Sequence, residues 1–142
     1  MAISSIYSNI LNEHNLRPSH KGKLEGATMI LEGVNPTCGD DIFLEMKEED
    51  GVITDASFNG SGCAISQASA DMMLDLIIGE SRERALELAD IFMRMIRGEA
   101  SEDEIDELDE AGLLKDISHM PARVKCAVLS WRTLIEMLEK EG

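Results

Sequence analysis

Aromatic residues, proline and long apolar runs are all scarce in this sequence. Aromatic residues make up 4% of the 142 residues and only three residues are proline, whereas 44% are hydrophobic and nine are methionine. This composition is enough for one core of aliphatic and thioether side chains. No apolar run approaches the roughly 18 residues of a membrane span, and residues 1–4 lack the basic-then-apolar pattern of a secretory signal. We therefore expect one domain over residues 1–142, located in the cytoplasm.

Basic residues are scarce as well. Lysine and arginine number 13 against 28 acidic residues, for a formal net charge of −15. The resulting field repels phosphate backbones and anionic lipid head groups, so neither nucleic acid nor a membrane is expected as a partner. Acidic residues dominate residues 99–110, where no basic residue occurs. We interpret residues 99–118 or so as an acidic insert outside the chemistry, either a short solvated helix or a mobile loop.

The apolar pattern changes from strands to helices along the chain. After a short amphipathic helix at 4–14, apolar or alternating runs predict three strands at 27–31, 41–46 and 52–58. Asp50 and Gly51 are typical of a hairpin between the second and third strands. Helical periodicity follows at 64–78, at 83–96 and from Pro121 to about Lys140. The order predicts a two-layer α+β fold in which a three-stranded antiparallel sheet packs against helices.

Three cysteines fall at places where chemistry could occur. An odd number in a reducing compartment suggests metal ligands or nucleophiles, with buried structural thiols as the alternative. Cys38 and Asp40 share the turn between the first two strands, where Asp40 alone would suit an ordinary turn. Cys63 precedes a helix, whose amino-terminal dipole would lower its thiol pKa. A small residue at a tight junction is the alternative explanation for Cys63.

Cys126 lies near the start of the last helix. At about 100° per residue it points roughly 140° from the centre of the apolar stripe, so it is not expected to fill the core. That stripe consists of Val124, Val128, Trp131, Ile135 and Leu138. The neighbouring Arg123 and Lys125 favour an ionised thiol. Three thiolates and one carboxylate would suit zinc, although such wide spacing does not identify a site by itself.

Three segments resemble the signature blocks of the IscU-like family: residues 35–40 (NPTCGD), 59–66 (NGSGCAIS) and 121–127 (PARVKCA). The similarity extends over nearly the whole chain, and it implies the fold of that family. It also implies a metal site made of four residues: Cys38, Asp40, Cys63 and Cys126. We do not include His14, His20 or His119, which we expect to be surface or loop residues.

Two details favour the SufU-type branch over iron–sulfur scaffolds. Scaffold members carry histidine where Lys125 stands, and a Leu-Pro-Pro-Val-Lys segment where this chain has residues 120–125 (MPARVK). The resemblance thus implies a zinc-dependent sulfurtransferase that takes persulfide sulfur from a pyridoxal-phosphate-dependent cysteine desulfurase of the SufS type. It would pass the sulfur to a downstream iron–sulfur scaffold complex.

The same resemblance implies a role for individual residues. Cys38 would accept the sulfur after a desulfurase histidine replaces its thiolate on Zn²⁺, and Arg123 would help to orient the interface. The alternative function is a scaffold on which a [2Fe–2S] cluster is assembled. A purely structural zinc site is less favoured, because one hard carboxylate among soft thiolates suits an exchangeable site better than a permanent one.

Overall fold

A three-stranded sheet and four α-helices form the part of the chain that the computed structural model describes, namely residues 9, 13, 14, 16, 18–35, 39–119 and 121–141. The strands are β1 (Met29–Asn35), β2 (Asp40–Glu49) and β3 (Val52–Ser61). The helices are α1 (Ala64–Ile77), α2 (Arg82–Ile96), α3 (Glu102–Asp106) and α4 (Pro121–Glu141), with a 3-10 helix at Asp109–His119. The predicted α+β fold is confirmed. Most of the predicted amino-terminal helix lies outside the described residues, of which Asn9, Glu13, His14 and Leu16 are helical.

The sheet is antiparallel in the order β1-β2-β3. Asp50 and Gly51 join β2 to β3 with φ angles of 54° and 79°, and positive values at both central positions are typical of a type I′ hairpin turn. The predicted hairpin is therefore confirmed. One face of the sheet is buried under the helices, whereas the other face exposes Ile30, Val34 and Phe43. The start of β2 and the end of β3 meet at one end of the sheet, which brings Asp40 close to the start of α1.

Helix α4 is more deeply buried than its predicted apolar stripe suggests. Leu129, Leu134 and Met137 lie outside that stripe and are also buried, because α4 contacts β1, α1 and α2 at once. Gly33 on β1 allows the close approach, since a Cβ at this position would overlap the Thr133 hydroxyl. Among the described residues no helix is long and apolar enough to cross a membrane.

A buried hydrogen-bond chain attaches α4 to α1. Trp131 Nε1 donates to Ser69 Oγ at 2.9 Å, and Ser69 Oγ donates to the Ala127 carbonyl at 2.6 Å. The Trp131 ring stacks on Phe92, with centroids 4.2 Å apart. Because Ser69 is on α1 and Ala127 adjoins Cys126, this chain sets the position of Cys126 relative to α1.

Replacing Ser69 with alanine should lower the free energy of unfolding by about 1–3 kcal/mol, because the buried indole N–H of Trp131 loses its acceptor. Chemical denaturation of the two proteins would measure the difference. Ser130→Ala is the matched control, since Ser130 is buried and its hydroxyl has no hydrogen-bond partner among the described residues. An equal loss in both variants would show that the hydrogen bond is not the cause.

The acidic insert begins with the short solvated helix that was one of the two predicted alternatives, because α3 buries none of its residues, but the segment after α3 is packed into the fold. Ser101 caps α3 with a complete capping box. Leu108, just before the 3-10 helix, is buried, and so are three apolar side chains within that helix: Ala111, Leu114 and Ile117. Its carboxylates also have partners, which the sequence did not reveal. Glu104 pairs with Arg94, with the nearest nitrogen and oxygen 2.6 Å apart, and Glu107 pairs with Arg84 at 2.7 Å. The insert is thus an ordered part of the fold.

The Arg94 to Glu104 pair should make stability depend on acid pH. The hydrogen bonds from Arg94 and then from the Ser101 backbone lower the pKa of Glu104 from 4.5 to about 2. A depressed carboxyl pKa stabilises the fold above pH 4.5, and the contribution is lost as the pH falls toward about 2. Glu104→Gln should therefore be less stable than the native chain at pH 7, and the difference should shrink on acidification. Thermal melts of Arg94→Gln should show the same shrinking difference from the native chain as the pH falls. If the stability difference from the native chain stayed constant down to about pH 3 for both variants, the ion pair would not be the cause of the pH dependence.

Candidate metal centre

Three elements bring Asp40, Cys63 and Cys126 together. Asp40 begins β2, Cys63 is the residue before α1, and Cys126 lies in the second turn of α4. One carboxylate oxygen and the two sulfur atoms all lie within 4.8 Å of one another. Asp40 and Cys126 are buried and Cys63 is partly exposed. Cys38 lies outside the described residues, so its place in this cluster remains a prediction.

Asp40 is completely buried and its carboxylate is held in a defined orientation. Oδ1 accepts hydrogen bonds from the Cys63 backbone N–H at 2.9 Å and from the Ser66 hydroxyl at 3.2 Å. Oδ2 accepts a hydrogen bond from Asn35 Nδ2 at 3.3 Å. These bonds tie the start of β2 to the start of α1. Sequence analysis missed Asn35 and Ser66 as supporting residues, although both occur in the segments that carry the family resemblance.

Cys63 is the amino-terminal cap of α1. Its Sγ accepts the Ser66 backbone N–H at 3.4 Å, and its φ and ψ angles of −72° and 168° are extended, as a capping residue requires. Gly62 allows the tight entry into the helix, because a Cβ there would overlap Ser66 Oγ and lie 2.8 Å from Asp40 Oδ1. The predicted position of Cys63 before a helix is confirmed, and its sulfur points toward Asp40 and Cys126.

Cys126 is almost fully buried, at the edge of the apolar core. The hydrophobic core cluster includes its neighbours Ala127 and Val128 and does not include Cys126. Its sulfur lies instead in the cluster with Asp40 and Cys63. The expectation that Cys126 does not fill the core is therefore wrong as regards burial, because only 2% of the residue is exposed and the side of α4 opposite the apolar stripe is buried as well.

The local charge around the cluster contrasts with that of the whole chain. Neither α1 nor α4 has an acidic residue in its first turn, whereas the first turn of α2 contains Glu83 and that of α3 contains three acidic residues. The exposed Arg123 and Lys125 lie beside Cys126 on α4. Because helix amino termini carry partial positive charge, the surroundings of the cluster are less acidic than the net charge of −15 indicates.

The chemistry of these donor atoms fits zinc. Zinc accepts thiolate and carboxylate ligands in a tetrahedron with bonds of about 2.0–2.3 Å, which places neighbouring ligand atoms about 3.3–3.8 Å apart. The three described donor atoms lie within 4.8 Å of one another, which is close to such separations. Moreover, no cationic side chain in the described part of the chain forms an ion pair with the buried Asp40, so a bound cation would offset its charge.

His14 is not the surface or loop residue that we expected, whereas His20 does lie in a loop, as predicted. His14 is helical and buried, with Nδ1 2.6 Å from Asp71 and Nε2 2.6 Å from Glu110. His20 is partly buried, and its Nε2 lies 2.6 Å from Asp75. Their partners are distant in sequence, so no local pattern could have identified them. Nothing is described of the His119 side chain.

Known proteins that resemble this chain match it over most of its length. Residues 6–127 match the model of the NifU-like N terminal domain. The chain is 45% identical over 140 residues to the iron–sulfur cluster assembly scaffold protein IscU of Thermotoga maritima, covering 99% of this chain and 97% of that protein. It is 40% identical over 139 residues to the zinc-dependent sulfurtransferase SufU of Bacillus subtilis, covering 98% and 93%.

A solved structure shares the fold as well. The crystal structure of a candidate SUF-system scaffold protein from Fervidobacterium islandicum superposes with a TM-score of 0.85 at 36% identity, covering 94% of this chain and 97% of that one. The similarities thus include proteins named as scaffolds and one named as a sulfurtransferase.

Proposed function

This chain belongs to the family of NifU-like N-terminal domains, and its relatives above are named as iron–sulfur cluster assembly scaffolds and as a zinc-dependent sulfurtransferase; we propose that it is a zinc-dependent sulfurtransferase. It would accept persulfide sulfur from a pyridoxal-phosphate-dependent cysteine desulfurase of the SufS type. It would then deliver the sulfur to a downstream iron–sulfur scaffold complex. The observation that carries this proposal is the convergence of Asp40, Cys63 and Cys126 on one point.

Three of the four proposed ligands are held by contacts within the fold. Asp40 is held by three hydrogen bonds, Cys63 caps α1, and Cys126 is positioned through the Ser69 chain. Cys38 is in the loop between β1 and β2, where loops permit more movement than helix termini do. Bound zinc would keep the thiolates deprotonated and would mask the Cys38 thiolate until a partner docks.

Sulfur transfer to Cys38 needs no oxidant. The Cys38 thiolate attacks the terminal sulfur of the desulfurase persulfide, the sulfur–sulfur bond of that persulfide breaks, and the desulfurase cysteine leaves as a thiolate. The product is a persulfide on Cys38, and the number of sulfur–sulfur bonds is unchanged. The amino-terminal dipole of α1 and the charges of Arg123 and Lys125 would favour the anions on both sides of this exchange.

Arg123 is proposed to orient the docked partner. It is exposed and lies three residues before Cys126, so the two side chains occupy the same side of α4. A guanidinium group can form paired hydrogen bonds with a carboxylate of the desulfurase, which would align the two reacting sulfur atoms. Arg123 would thus act on the geometry of the complex rather than on the metal.

The second candidate function is that of a scaffold for [2Fe–2S] cluster assembly. It is favoured by the 45% identity to the Thermotoga maritima scaffold protein. It is opposed by Lys125, which stands where the resemblance places a histidine in scaffold members. Both functions would use the same cysteines, so the distinction rests on the bound metal and on the response of the desulfurase.

Two measurements on anaerobically purified protein test the proposal. Elemental analysis and visible spectroscopy should give zinc without iron, acid-labile sulfide or visible absorption. Addition of the protein to a cysteine desulfurase with cysteine should increase alanine formation and place one extra sulfur on the chain. Iron with equimolar sulfide and visible charge-transfer bands, together with no stimulation of the desulfurase, would favour the scaffold function instead.

A further inference from the structure

A second cluster of metal-ligand side chains lies away from the cysteines. It consists of His14 Nε2 and the carboxylates of Asp75 and Glu110, whose ligand atoms all lie within 4.8 Å of one another. We propose that these three residues, the His14 site, bind a divalent transition-metal ion. Asp75 is 12 residues beyond Cys63 along α1, which corresponds to about 18 Å of helix. The proposal does not depend on the function of the cysteine centre.

The orientation of His14 is the observation that distinguishes this cluster from an ordinary acidic surface. Its Nδ1 lies 2.6 Å from Oδ2 of Asp71, which is almost fully buried on α1. The other Asp71 oxygen accepts the His20 backbone N–H at 2.9 Å. A buried carboxylate therefore holds the Nδ1 proton and directs Nε2 outward. Histidines that bind metal ions typically have such a carboxylate on the ring nitrogen that does not bind the metal.

The side chains facing Nε2 can adjust to a metal ion. Glu110 Oε1 is 2.6 Å from Nε2, and its side chain is 54% exposed. The Asp75 side chain is 46% exposed and contacts His20 Nε2 at 2.6 Å. Tetrahedral ligands at about 2.0 Å are about 3.3 Å apart, so entry of an ion requires Glu110 to rotate slightly and any proton on Nε2 to pass to solvent.

The site has access and a defined chemical preference. A cavity of about 220 Å³ adjoins it, lined by Asp75 and Glu110 together with apolar side chains such as Leu76 and Leu108. One imidazole nitrogen and two carboxylate oxygens suit borderline ions such as Zn²⁺, Co²⁺, Fe²⁺ or Mn²⁺. The cysteine centre offers mainly sulfur. The two sites should therefore give different spectroscopic signals for the same metal.

Metal counting and ¹¹³Cd NMR test the His14 site in the full chain. After the cysteine centre has been filled with one equivalent of Zn²⁺, further Zn²⁺ should bind with a stoichiometry near one by calorimetry. Protein reconstituted with ¹¹³Cd²⁺ should give one signal in the sulfur-ligand region and a second in the nitrogen and oxygen region. His14→Gln and Glu110→Gln should each remove the second signal and weaken binding of the second equivalent more than about tenfold.

Asp103→Asn is the matched control, because it removes one charge from an exposed residue of the same acidic segment. It should keep both signals. Glu110→Gln changes a largely exposed side chain, so it remains informative if His14→Gln folds poorly. A native chain that binds no second equivalent would overturn the proposal and leave His14 as a buried ion-pair residue. A second equivalent that survives in Glu110→Gln, or is lost equally in Asp103→Asn, would also overturn it.

Discussion

Replacing Cys38 with serine should abolish sulfur acceptance, with desulfurase stimulation falling to the level of desulfurase alone. Serine cannot form a persulfide, and the hydroxyl is a much weaker nucleophile than a thiolate at neutral pH. The fold should be largely retained, because Asp40, Cys63 and Cys126 keep their contacts with one another and with α1. Mass spectrometry after incubation with desulfurase and cysteine would measure the extra sulfur, and pull-down with the desulfurase would measure binding.

Cys63→Ser is the matched control for the same chemical change at a helix cap. Serine is a good amino-terminal cap, so α1 should keep its start, while metal binding should weaken. The native chain should carry the extra sulfur on Cys38. A stable extra sulfur on Cys63 or Cys126, with Cys38 unmodified, would show that the acceptor has been assigned to the wrong cysteine. Retained stimulation by Cys38→Ser would contradict the proposed chemistry itself.

Removing the metal should lower the thermal midpoint by about 10 °C or more. A ligand present at about 1,000 times its dissociation constant stabilises a native protein by about 4 kcal/mol, and each kcal/mol shifts the midpoint of a protein of this size by roughly 2–4 °C or somewhat more. Without a cation, the buried Asp40 carboxylate would remain close to two sulfur atoms with nothing to offset its charge. Differential scanning calorimetry before and after chelation would measure the shift.

The chelation experiment is best performed on Glu110→Gln, so that an ion at the His14 site does not contribute. Elemental analysis must accompany each melt. Cys126→Ala in the same background should show almost no response to the chelator, because the cysteine centre is already lost. An unchanged midpoint in the parent protein after verified metal removal would show that the cysteine centre is not coupled to folding.

The distribution of charge makes the surroundings of the cysteine centre less acidic than the chain as a whole. The first turns of α1 and α4 contain no acidic residue, whereas the first turn of α3 contains three. Acidic residues at the start of α1 or α4 would neutralise the helix dipole where Cys63 and Cys126 lie. The net charge of −15 therefore says little about the field at the cysteine centre.

Sequence alone determined the elements whose signals are local. Strand β3 and helices α1, α2 and α4 begin within a residue of their predicted starts, because apolar periodicity, Asp50 and Gly51 in the hairpin, and Pro121 at the helix start act over a few neighbouring positions. The ends of β1 and β2 were predicted too short, since pairing across the sheet continues past the apolar run into Asn35 and Glu49. The family resemblance was likewise recognised from short stretches of neighbouring residues, namely 35–40, 59–66 and 121–127.

Only the tertiary structure decided which distant groups meet. It brings Asp40, Cys63 and Cys126 within 4.8 Å, although they lie on three different elements. It also buries His14 against Asp71 and packs the acidic insert through Leu108 and its neighbours, where composition favoured solvent. Helix and turn preferences arise from contacts a few residues apart, whereas these environments depend on how whole elements pack. The sequence thus indicated which residues could take part in chemistry, whereas the tertiary structure determined which groups surround them.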